Sequence, residues 1–60
     1  MRPGDRVRTV CTLYDRAEQL IVPAGTLGAV DQISMFGRRL LVDYDTGHSL
    51  RHPTRHCLRA

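Results

Sequence analysis

The sequence predicts an all-β domain: five short strands curled into a small barrel, with one short helical turn near the C-terminal end. Three observations carry this expectation. Apolar and β-branched residues come in runs of four to nine, bounded by Gly, Pro and Asp. The one stretch that could be argued helical, "LYDRAEQLI", spans barely two turns, lacks a full apolar stripe and stops short of Pro23. Sixty residues make a single domain over 1–60, and strands too short to cover a core one by one can bury it by curling together.

Each element follows in order from its residues. After the turn "RPGD", the first strand "RVRTVCT" puts Val7, Thr9 and Cys11 on one face and Arg8, Val10 and Thr12 on the other. Both faces are partly apolar, as in a strongly bent sheet. "LYDRAEQLIVPAG" reads as a long, folded-back loop. "TLGAVDQIS" is the second strand, with Gly25 and Gly28 supplying a turn and a bulge or bend. "MFGR" turns around Gly37. "RLLVDY" is the third strand, with Leu40, Val42 and Tyr44 on one face and Tyr44 directed into the core. "DTGH" is a tight type I′-like hairpin turn with Gly47 placed for positive φ. "SLRH" is the fourth strand, "PTRH" a helical turn begun by Pro53, and "CLRA" a closing strand. The expected core is Val7, Leu27, Val30, Leu40, Val42, Leu50 and Leu58.

Composition narrows the setting. A domain of this size buries only about 60% of the surface of its unfolded chain, so its stability is marginal and a partner or a second copy of the chain has something to contribute. No apolar run approaches the ~18 residues of a membrane span, and "MRPGDRVR" has no apolar leader core; the expectation is a cytoplasmic protein with no membrane partner. Cys11 and Cys57 then stay reduced, as small buried or half-buried hydrophobes. All nine basic residues are Arg, against six acids, for a net charge of +3. That is an ordinary solubility charge which leaves nucleic acid open if the arginines share a face.

The order strand, long loop, strand, turn, strand, tight hairpin, strand, helical turn, strand resembles the SH3-like small barrel over the whole chain. "PGDRVR", "PAGTLGAV" and "VDYDTG" resemble the wording of short bacterial and phage modules of this kind, and the KOW motif is similar more loosely. "CTLYDRAEQL" resembles the opening of eukaryotic SH3 domains. That resemblance implies that Tyr14 stands for a groove tyrosine, Asp15 and Glu18 for an acidic loop, Pro53 for a groove proline, and His56 for the last groove tyrosine. The family's tryptophan is missing, and Arg38 and Arg39 stand near its place. Polyproline recognition needs flat aromatic faces, and the chain offers only Tyr14, Tyr44 and Phe36. The opening stretch therefore marks a fold rather than a proline-rich ligand.

Chemical motifs are few. "DTG" at Asp45–Gly47 is the wording of an aspartic protease loop, but that chemistry needs two such loops across a cleft, and a hairpin turn accounts for it. His48, His52 and His56 recur every four residues with Cys57 adjacent. Pro53 interrupts them, and residues four apart on a strand lie about 13 Å apart, so exposed or groove-lining histidines are expected rather than a metal centre. No nucleophile has an evident base and orienting acid. "GDRVR" also resembles the opening of type II dihydrofolate reductases, whose pore-lining Val-Gln-Ile-Tyr is replaced here by "SLRHP".

The expected function is a non-catalytic protein interaction module, free-standing or accessory to a larger assembly, with no cofactor and no metal. Its contact residues are Tyr14, Asp15 and Glu18 of the long loop and Met35 and Phe36 of the turn, apolar side chains that are costly to leave in water. The alternative is weak nucleic-acid binding through Arg6, Arg8, Arg51, Arg55 and Arg59, which would converge if the first and last strands pair. A small oligomeric reductase stands third.

Overall fold

The computed structural model describes residues 1–14 and 20–60. Among the described residues are seven strands: β1 (Arg6–Thr9), β2 (Leu13–Tyr14), β3 (Leu20–Val22), β4 (Leu27–Ser34), β5 (Arg39–Tyr44), β6 (Ser49–Pro53) and β7 (Cys57–Arg59). Two 3-10 turns, Met35–Gly37 and Thr54–His56, link β4 to β5 and β6 to β7. The fold is all-β. Five strands form one antiparallel sheet in the order β6-β5-β4-β1-β7, so β6 and β7 are its edges. The helical turn after Pro53 is as the sequence predicts, and the first and last strands, whose pairing the sequence left open, do pair.

The expected loop is in part a strand ribbon. β2 pairs β3 antiparallel, Leu13 with Val22 and Tyr14 with Leu20, and Leu13 and Val22 are both buried in the core. Two or three residues are too few for an alternation to be read, which is why the sequence pattern does not reveal the ribbon. Asp15 and Glu18 lie outside the described residues.

Alternation explains the core where strands are long. In β5, Leu40, Val42 and Tyr44 point inward as expected, against Val7, Val30, Leu13, Val22 and Cys57. β4 shifts register between Val30 and Gln32. This bulge uses up Asp31, so that Val30 opposite Val42 and Ile33 opposite Leu40 both turn to the core although they are three residues apart.

Two expected core residues are displaced. Leu27 pairs Arg8, and its inward neighbour is Gly28, opposite Val7 and Tyr44; Leu27 is only half-buried. Leu58 is 64% exposed because Cys57 takes the inward position of β7 and a strand turns successive side chains to opposite faces. Leu50 packs against the core but is half-buried.

Gly28 serves close packing. A Cβ there would lie 2.8 Å from the Asp43 carbonyl oxygen and 2.9 Å from both Tyr44 Cδ1 and Val42 Cγ1. Its missing side chain is the space the Tyr44 ring occupies. The "DTG" turn closes with Gly47 N donating to Tyr44 O and Tyr44 N donating to His48 O, both bonds inside 3 Å. Positive φ occurs there only at Gly47. The loop is therefore not the type I′ turn expected, which needs positive φ at both central residues.

Candidate functional site

Tyr44, set by Gly28, carries its hydroxyl into a buried polar array. His52 Nδ1 lies 2.9 Å from the Pro53 carbonyl oxygen, which can only accept, so this nitrogen carries the proton. Nε2 of the neutral ring is then an acceptor, and the Tyr44 hydroxyl donates to it at 2.5 Å. The Cys57 thiol, 3.3 Å away, donates to the same hydroxyl oxygen. Burial pushes the His52 ring below its ordinary value, and the neighbouring His56 and Arg39 push the same way against the raising effect of the Pro53 carbonyl. Burial also pushes the Tyr44 phenol and the Cys57 thiol up. Each group holds its neutral form, and the array cross-links β5, β6 and the start of β7.

Of the histidines, expected to be exposed or to line a groove, His48 is exposed and both His52 and His56 line a groove. His52 is also buried, and its ring centroid lies 5.9 Å from that of Tyr44 and 5.9 Å from that of His56, both pairs stacked. Among the described residues, no three His, Cys, Asp or Glu side chains are placed to hold a metal ion. Cys11 and Cys57 are free thiols, Cys11 half-buried against the core and Cys57 within it.

Above the array lies a groove of about 340 Å³ between the end of the first strand with β2 and the free edge of β6. Cys11, Thr12, Leu13 and Tyr14 form one wall, and Leu50, Arg51, His52 and His56 the other. Tyr14 is 58% exposed here, and the structure thus brings together Tyr14, His56 and Arg51.

Met35 and Phe36 stand elsewhere, on the turn from β4 to β5. Both hold positive φ, 55° and 57°, ahead of Gly37 at 86°. Three successive left-handed residues are costly where two carry bulky side chains. Phe36 gains no burial in return and is completely exposed, with Met35 at 63%. Thr54 of the second 3-10 turn fastens this turn: its N–H donates to Arg38 O at 2.8 Å and its hydroxyl to Gly37 O. His56, two residues on, lines the groove. The Thr54–His56 turn therefore connects the two candidate contact regions.

The arginines among the described residues are spread over several elements. Arg6 makes a two-pronged pair with Asp45 at 2.8 and 3.2 Å. Arg59 reaches Asp5 at 3.3 Å. With Arg2 they line an open cleft of about 410 Å³ on the β1–β7 side. Arg8 lies between Leu27 and Leu58 on the outer sheet face, Arg51 lines the groove, and Arg55 is exposed on the second 3-10 turn. No helix among the described residues is long and apolar enough to cross a membrane.

Compared with known proteins, the chain matches no family model, no curated sequence and no solved structure.

Proposed function

We propose that the chain is a non-catalytic protein interaction module built on an SH3-like fold, with the Met35–Phe36 turn as its anchor and the Tyr14 wall of the groove as a second contact. The strand order β6-β5-β4-β1-β7, with a ribbon between β1 and β4 and a 3-10 turn before β7, supports the SH3-like reading. The observation that carries the functional reading is the turn itself. Its backbone is held in a costly conformation, and the result is a fully exposed aromatic ring. A ring on a rigid support loses little freedom on docking, as an interface anchor requires.

The test compares wild-type protein with the Met35→Ala/Phe36→Ala double variant. Partners enriched from the host by the wild type are purified and titrated directly. The double variant is expected to lose about 2 kcal/mol or more of binding energy, as for an interface hot spot, with a shallow salt dependence. Labelled duplex or single-stranded nucleic acid, titrated in parallel, checks the alternative. Binding that falls steeply with salt and ignores the Met35 and Phe36 changes would replace the present reading with a phosphate-binding one.

A further inference from the structure

We infer that the groove between β2 and β6 is a site for an extended acidic peptide segment, which adds to the free edge of β6 and places a carboxylate between Arg51 and His56. This rests on the reading of the chain as a protein interaction module, but on a different surface from the Met35–Phe36 anchor.

The backbone supplies the first part of the argument. Among the described residues β6 pairs only β5, with Val42 opposite Leu50 and Leu40 opposite His52. Tyr44 N donates to His48 O and Thr54 N donates to Arg38 O, which sets the even-numbered residues as those that turn their N–H and C=O toward β5. In an antiparallel pair the alternate residues point the other way. Ser49 and Arg51 therefore present their N–H and C=O along the free edge, and Leu50, Arg51 and His52 line the groove. An extended segment can bond to such an edge by main-chain contacts alone.

Side chains supply the chemistry. The apolar lining of Cys11, Leu13 and Leu50 suits an aliphatic side chain. In the polar lining, among the described residues, the Thr12 and Tyr14 hydroxyls can donate or accept, and the other groups are nitrogens. Both His52 nitrogens are engaged, and Thr12 Oγ1 already accepts from Ala24 N at 3.3 Å. Among the described residues, His56 Nδ1 is buried without a partner. A proton there would be stranded, so the neutral ring carries its proton on Nε2, which becomes a donor. The Arg51 guanidinium is a second donor and has no acceptor capacity. Two donors beside an apolar floor call for a carboxylate next to an aliphatic residue, and an extended segment alternating the two presents both faces correctly.

The experiment titrates isotope-labelled protein with four capped pentapeptides: Glu-Val-Glu-Val-Glu, its Gln and Lys counterparts, and pentaproline. Amide shifts map the site. The expected result is that the Glu peptide shifts Ser49, Arg51, Leu13 and Tyr14 and binds about tenfold tighter than the Gln peptide. Arg51→Gln should remove that preference, while Met35→Ala/Phe36→Ala should leave it intact. An uncapped Gln peptide tests whether a chain-terminal carboxylate suffices. If it alone reproduces the binding, a side-chain carboxylate is not what the groove reads, and the inference fails. Equal binding of the Glu, Gln and Lys peptides, preference for pentaproline, shifts confined to the Arg2–Arg59 cleft, or no shift at millimolar peptide would each overturn it. None of these outcomes touches the anchor at Phe36, which the double variant tests separately.

Discussion

His52 is the residue at which acid meets the fold. Its ring is buried among Tyr44, His56, Cys57 and the nearby Arg39, with no carboxylate of the described residues against it, so the neutral form is favoured and the folded-state value lies below the ordinary 6.5. The unfolded chain therefore binds the proton more readily. The stability contributed by the neutral ring is fully present above about pH 6.5 and drains as pH falls through that value toward the folded-state one. Urea titrations across this window should show wild-type stability falling toward acid, with a smaller fall in His52→Phe. An identical slope in both would show that other groups govern the acid limb. At neutral pH, Tyr44→Phe leaves His52 Nε2 without its donor and should cost about 1–3 kcal/mol. The sequence made Tyr44 legible as a core residue through the period of "RLLVDY". It did not reveal the array, because the partners come from three different elements and no spacing along the chain encodes their meeting.

Pairing of β4 with β5 depends on a position that has no side chain. Gly28→Ala places a methyl group into the Asp43 carbonyl and the Tyr44 ring, and overpacking of this kind costs about 1–3 kcal/mol. Thermal unfolding should show a larger loss for Gly28→Ala than for Gly47→Ala, where the added methyl meets open space and only the positive φ resists. Equal losses would mean that β4 moves aside freely. Gly28 also explains why Leu27 is misplaced by pattern reading: the inward position next to it is occupied by a residue with no hydrophobic signature. Likewise, β7 is three residues long, and so short a run leaves either phase of the alternation open until Cys57 is seen to point inward. β5, where the period repeats without a bulge, is the strand whose inward face the sequence specified correctly. Among contact residues, Tyr14 and His56 were legible by resemblance, but their meeting with Arg51 across a groove depends on the ribbon that no period revealed.

At the scale of the whole molecule, one small core carries the fold. Its fully buried members are Val7, Val22, Leu40 and Val42 with Thr9, and a chain of this size has little stability to spare. Val42→Ala should cost about 2 kcal/mol and populate unfolded chains visibly in a far-UV denaturation curve. Leu58→Ala, on the outer face, should stay within about 0.5 kcal/mol of the parent. A severe loss at Leu58 would imply that its face is covered in solution, for instance by a second copy of the chain.

With Phe36 as the anchor proposed above, the left-handed turn at Met35–Gly37 sets folding and recognition against each other. Asn tolerates this backbone far better than Phe, so Phe36→Asn should raise the melting temperature while removing the exposed ring. A screen for thermostable variants would drift toward that substitution and return a sturdier protein with a weaker grip. Keeping an aromatic ring at this position therefore costs the fold stability that its burial does not return.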